Sequence, residues 1–297
     1  MMGIFGLLSW VGLSLGSALT AAVMPIMHEK IRAERLSMMF WLRVVMLLIA
    51  LPVLAFVGLP DNPTFYAATF VTAFIWAYAD LSSIRAAEEF GAGVITRLIP
   101  LNVLVTFFMW IALDPDTLTR YMEAPFRGLG ILAATAAAVF FAMRLQKGPV
   151  TREHLRALGP VILMSGMGVV YAKIALDSAS SMHSGVFGYM ALQALLMIII
   201  FGVLEAVWNP VPRAVFAGRV AMTSGLLMGL NTVVHMILKT YGYQLVENPA
   251  YISVVILTTP IWVMLYYRLV QKQPVGDVKA GLMVVLSVLA LLGFVSL

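Results

Sequence analysis

None of the 297 residues is a cysteine. That absence removes disulfides, thiolate metal sites and a cysteine nucleophile together. Charge is scarce too: 11% of residues are Asp, Glu, Lys or Arg, against about 25% in ordinary soluble domains. There is no GxxxxGK run followed by Ser or Thr, so the chain carries no P-loop for ATP. HExxH is missing, and four scattered histidines suggest no catalytic metal site. No metal or other cofactor is therefore expected. No Ser, His and acid trio has a supporting motif, so an enzyme is not expected either.

Apolar residues fill the space that charge leaves. Hydrophobic residues make up 62% of the chain, and its mean hydropathy is +0.96. A helix crosses a bilayer with about 20 apolar residues. Ten runs approach that length, over 4–26, 38–58, 65–87, 91–113, 127–145, 157–176, 185–207, 214–241, 249–270 and 277–296. The expected fold is an all-α integral membrane protein of ten transmembrane helices. The N-terminal run lacks the basic flank of a signal peptide and reads as a retained first span.

A net charge of +5 raises nucleic acid as a partner, but the basic residues sit mostly in short loops, as the positive-inside rule requires. Assigned to its nearest loop, each Lys or Arg falls into one of two sets. The odd-numbered loops collect fifteen (among them Lys30, Arg32, Arg43, Arg97, Lys147 and Arg213). The even-numbered loops collect Arg120, Arg127, Lys173 and Lys239. Fifteen against four places the odd loops in the cytoplasm and both termini outside, in the cell inner (plasma) membrane. The partners expected are the bilayer, a small-molecule substrate and protons, with no nucleic acid and a monomeric or homodimeric chain.

The chain repeats itself once. Tyr251 to Leu297 runs as an apolar span centred on Pro260, a short polar loop and a glycine-rich apolar span. The same order occurs from Gly93, with Pro100 in the span and GLGILAATAAAVFF after the loop. Pro100 and Pro260 stand 160 residues apart (260 − 100). The expected domains are 1–146, a linker over 147–156, and 157–297. Five spans per half is an odd number, so the halves are inverted relative to each other, as in many secondary transporters.

A proline-centred span, short polar loop and glycine-rich final span, present twice in ten spans, resembles the drug/metabolite transporter superfamily, EamA type. Ile252 to Phe294 carries the pattern best. Phe40 to Leu54 is similar to the family's Arg-led second span. The family's loop acid is replaced here by QKQPVGD, and Arg85, Glu88 and Glu89 stand where the third span is usually apolar. The resemblance implies a transporter fold and does not identify a substrate.

Charges inside spans cost at least about 2.5–3.5 kcal/mol and tend to face a cavity or partner. Asp80, one turn after Trp76, reads as a proton or cation site, or as an acid paired with Arg85 or Arg97. Arg97 lies three residues before Pro100, which frees a carbonyl about one turn earlier. It could bind an anionic group there or snorkel to the surface. Asn102 could satisfy that break or line the path. Asn231, His235 and Lys239 are spaced i, i+4, i+8 and fall within about 80° of one another. That polar stripe reads as a cavity wall or as helix–helix hydrogen bonding. Under the offset, Asp80 and Lys239 fall at mirrored depths, one inward and one outward. Lys173 and Lys239 could bind an anionic group or snorkel outward. Trp76, Tyr78 and Tyr171 are candidate aromatic walls. Small residues four apart (Gly12 with Gly16, Ser17 with Ala21, Gly225 with Gly229) suggest close helix packing. The expected function is alternating-access transport of a small metabolite or amphiphile, by proton-coupled export or exchange. A lipid-linked substrate flippase and a non-transporting membrane partner are the alternatives.

Overall fold

The computed structural model describes residues 4–31, 33–90, 92–145, 150–207, 211–270, 272 and 276–297. Arg32, Lys147, the first part of the 147–156 linker, most of QKQPVGD and the side chain of Glu88 lie outside the described residues. Among the described residues the regular structure is entirely helical. In chain order the helices are α1 (Ile4–Lys30), α2 (Arg35–Val57), α3 (Pro63–Phe90), α4 (Ala92–Leu98), α5 (Leu101–Leu113), α6 (Pro115–Glu123) and α7 (Pro125–Arg144). They continue with α8 (Arg152–Asp177), α9 (Met182–Val207), α10 (Arg213–Phe216), α11 (Arg219–Gln244), α12 (Ala250–Ile256), α13 (Thr259–Val270) and α14 (Val278–Ser296).

Local chemistry sets many of the ends. The Glu34 carboxylate accepts from the backbone of Leu36 at 3.0 Å and Ser37 at 2.6 Å, capping α2. Thr151 and His154 form a reciprocal capping box at α8, and Asp277 caps α14 from Lys279 and Ala280. These side chains satisfy orphan N–H groups that no helical carbonyl can reach. α2 stops at Gly58, whose φ of 75° suits a residue without Cβ. Prolines open α6 and α7 at the first turn, where a missing N–H costs nothing.

Among the described residues, nine helical segments are long and apolar enough to cross a membrane. The remaining long helix is α3, whose 28 residues are diluted by Thr64, Thr69, Thr72, Asp80, Ser82 and Ser83. The outer surface is oily: Phe56 is 91% exposed, Phe126 74% and Met122 72%. Soluble monomers do not show such continuous apolar surface, and lipid is the medium that tolerates it. This is an all-helical membrane protein.

Spans four and nine are each broken. A seven-residue helix, α4 or α12, precedes a turn at Ile99–Pro100 or Leu257–Thr258, and α5 or α13 follows. Pro100 sits in its turn, whereas Pro260 is the second residue of α13. Each break thus lies within two or three residues of a proline, Pro100 or Pro260. α6 was not expected; 115–123 read as a polar loop. α11 begins after a separate turn of helix, with Gly218 at its N-cap, which shortens the expected span 214–241 at its start.

α3 packs against α8 and α9, α2 against α9 and α11, α1 against α11 and both parts of span nine, α5 against α8, and α7 against α14. The α2–α11 approach is close because Gly225 and Gly229 face Trp41 and Val45; a Cβ at either would come within 2.3 Å or 2.7 Å of them. Gly16 likewise faces Leu238. Gly12 does not fit the same expectation, since a Cβ there would meet nothing within 4 Å.

Candidate functional site

The charged centre of the bundle is an ion pair between α2 and α3. Arg43 Nη2 donates to Asp80 Oδ2 at 3.0 Å, and the two side chains are 12% and 27% exposed. Asp80 thus pairs with Arg43, replacing the expected Arg85 or Arg97. Arg43 had been counted as a loop charge, yet it sits two turns inside α2. Lys173 and Lys239, on the other side of the count, also lie within helices, so the sense of the count is unchanged.

Lys239 approaches the pair from α11. Its ammonium stands 5.3 Å from the ring centre of Trp76 and 5.6 Å from that of Tyr243, both cation–π distances. It is also near enough to Asp80 for the two charges to interact. Lys239 thus meets α3 at Trp76, one turn before Asp80. In a helix the Cα–Cβ bond tilts toward the N-terminus. That tilt carries the long Lys239 side chain along α11 toward the level of Trp76.

The rest of the α11 stripe faces α1. Asn231 Nδ2 donates to the Thr20 carbonyl at 3.0 Å. His235 Nδ1 lies 3.0 Å from both the hydroxyl and the carbonyl of Ser17. Next along α1, the Ala18 carbonyl accepts from Thr259 Oγ1 at 3.2 Å, just after the break in span nine. α1 therefore ties the stripe to the broken helix through helix–helix hydrogen bonds. Facing the cluster from α9, Tyr189 is buried and its hydroxyl accepts from Gln193 at 3.0 Å.

Other sequence candidates lie apart. Tyr78 is 45% exposed and belongs to an outward ladder with Tyr66, Phe70 and Phe74. Two residues beyond Trp76, it points about 200° away around the helix, so it is no wall of this site. Lys173 is buried and pairs with Asp177 at 2.7 Å, its ammonium 5.8 Å from the Trp110 ring centre. It neither snorkels nor reaches the cluster. Arg97 donates from Nε to the Met143 carbonyl at 3.2 Å, while its Nη1 is buried without a partner. Asn102 stands just past the Pro100 turn, where its carbonyl accepts from Thr106 at 2.9 Å. Tyr171 is half-buried against the main core. Glu205 accepts from Val211 N at 3.1 Å.

A second polar group went unnoticed in the sequence because its members are distant along the chain. Glu247 meets Arg120 at 3.4 Å and Arg127 at 3.9 Å. Beside them the hydroxyls of Tyr121 and Tyr251 are hydrogen-bonded. Arg127 also donates to the carbonyls of Phe294 and Val295. Burial raises the Tyr121 phenol above its ordinary range, against the smaller opposite effect of its bond to Tyr251. This group fastens the start of span nine to α6, α7 and the end of α14. Among the described residues no cluster of three or more His, Asp or Glu could hold a metal ion.

No protein-family model matches the chain, and no curated protein matches it.

Proposed function

We propose that the chain is a secondary transporter that moves a small metabolite or amphiphile by alternating access, built as two inverted five-helix repeats. The observation that carries this is the Arg43–Asp80–Lys239 cluster, charge held in mid-bundle between α3 and α11. Charge in such a place is costly and is kept where a pathway needs it. α3 and α11 meet at most glancingly, and the long Lys239 side chain crosses the space between them.

The packing supports the repeat. Pair α1 with α8, α2 with α9, α3 with α11, span four with span nine, and α7 with α14. Exchange of the partners then turns α3–α8 into α11–α1, α2–α11 into α9–α3, and α5–α8 into span nine on α1, all of which are contacts present. The α2–α9 and α7–α14 contacts map onto themselves. With α3 counted, the chain crosses ten times, and the basic-residue count sets both termini outside the plasma membrane. The resemblance to EamA-type drug/metabolite transporters agrees with this plan.

The cysteine-free chain provides the test. Single cysteines replace Trp76, Asn231 and, as a lipid-facing control, Tyr78. A membrane-impermeant maleimide is applied to right-side-out and inside-out vesicles. Labelling of the first two from both sides, with Tyr78→Cys unreactive, is expected. Access from one side only, or from neither, refutes alternating access.

A further inference from the structure

The cluster is electrically unbalanced. Arg43 and Lys239 bring two positive charges; Asp80 pairs with Arg43 at 3.0 Å, and among the described residues no carboxylate forms an ion pair with Lys239. His235 and Tyr243, ionisable neighbours of Lys239 on its own helix, add no negative charge as imidazole and phenol. The donors are unbalanced as well. Asp80 accepts from Arg43 Nη2, but Arg43 Nε is buried with no partner. The Tyr243 hydroxyl is buried too; it lies toward Ser253 but makes no hydrogen bond of normal geometry. Among the described residues, Lys239 has ring faces beside it and no ion pair or hydrogen bond. Buried donors such as Arg43 Nε and the Tyr243 hydroxyl are ordinarily satisfied, and the half-buried Lys239 has, among the described residues, rings and no carboxylate in contact with its ammonium.

We infer that the ligand of this site is a small monoanion with an apolar body, its charged end held by Lys239 and the free donors of Arg43 and Tyr243. One negative charge completes the balance, whereas a dianion would overshoot it and a cation would add to the excess. Trp76, Tyr189 and Tyr243 give the flat apolar walls that an aromatic or branched body would lie against. Lys173 and Arg97, the other basic candidates, are engaged elsewhere by Asp177 and the Met143 carbonyl. The inference rests on reading this cluster as the transport site.

The test is calorimetric titration of the purified chain in uncharged detergent with benzoate, benzamide and benzylamine, which share a ring and differ in charge. Benzoate should bind at least about tenfold more tightly than the other two, and its affinity should fall as salt rises. Lys239→Met should weaken benzoate at least about tenfold, while Lys239→Arg retains it. Lys239→Met leaves the Arg43–Asp80 pair in place, and its melting curve shows whether it folds. If it does not fold, Lys239→Gln takes its place. Preference for benzylamine, unchanged benzoate binding in the folded variant, or no heat from any probe overturns the inference. Two-sided maleimide labelling with no benzoate binding would remove the anion and leave transport standing. Benzoate binding with one-sided labelling would do the reverse.

Discussion

Asp80→Asn tests the centre of the bundle most directly. The substitution keeps the shape and removes the carboxylate that pairs with Arg43. Breaking a buried ion pair on one side costs about 3–5 kcal/mol, mostly because the remaining charge is left unpaired. At 12% and 27% exposure this pair keeps some contact with the surroundings, so the low end applies, about 3 kcal/mol. That is roughly a 150-fold fall in the folding equilibrium constant. Arg43→Gln should cost a similar amount, since it strands Asp80. The double variant, with two neutral amides, should be less destabilised than the sum by about 2 kcal/mol. The assay is equilibrium unfolding by SDS in mixed micelles, followed by far-ultraviolet circular dichroism, on the parent and three variants. Additivity within about 0.5 kcal/mol would mean that the 3.0 Å contact carries no coupling, and the charged centre would lose its standing.

Other expectations follow from particular side chains. Gly225→Ala sets a methyl group against Trp41 and should destabilise by about 1–3 kcal/mol, measured in the same SDS titration. Gly12→Ala meets open space and should stabilise by about 0.5–1 kcal/mol through helix propensity. Equal effects at the two positions would contradict the packing described. Tyr121 has its folded pKa raised above the ordinary 10.0 by burial. The unfolded chain therefore ionises first as pH rises, and the stability tied to this phenol is full below pH 10 and lost on the way up. Thermal unfolding should show a steeper alkaline loss in the parent than in Tyr121→Phe; parallel curves would refute the role given to its burial.

Much of the architecture could be read from the sequence because membrane helices declare themselves by length and apolarity, and because prolines mark breaks by removing a donor. The α11 stripe was legible for the same reason, since three polar residues at i, i+4 and i+8 must share a face. Arg43 was not legible. Nearest-loop assignment is blind to depth, and its partner lies 37 residues away in another helix. The meeting of Lys239 with α3 was hidden because residue numbers locate Cα atoms, while a long side chain reaches a ring on another helix. Tyr78 failed as a site residue through a simple angular fact: a polar aromatic two positions from Trp76 lies on the opposite side of the helix. The Glu247 group was invisible because its arginines come from a stretch that composition alone reads as loop.

The break in span nine divides it into unequal parts. Five of the seven residues of α12 are buried, Tyr251, Ile252 and Val255 among them, whereas α13 has no buried residue at all. The first part is set in the core and the second runs along its edge, held to α1 by Thr259, with the Leu257–Thr258 turn between them. Amide exchange should register this difference as slow protons along α12 and fast ones along α13.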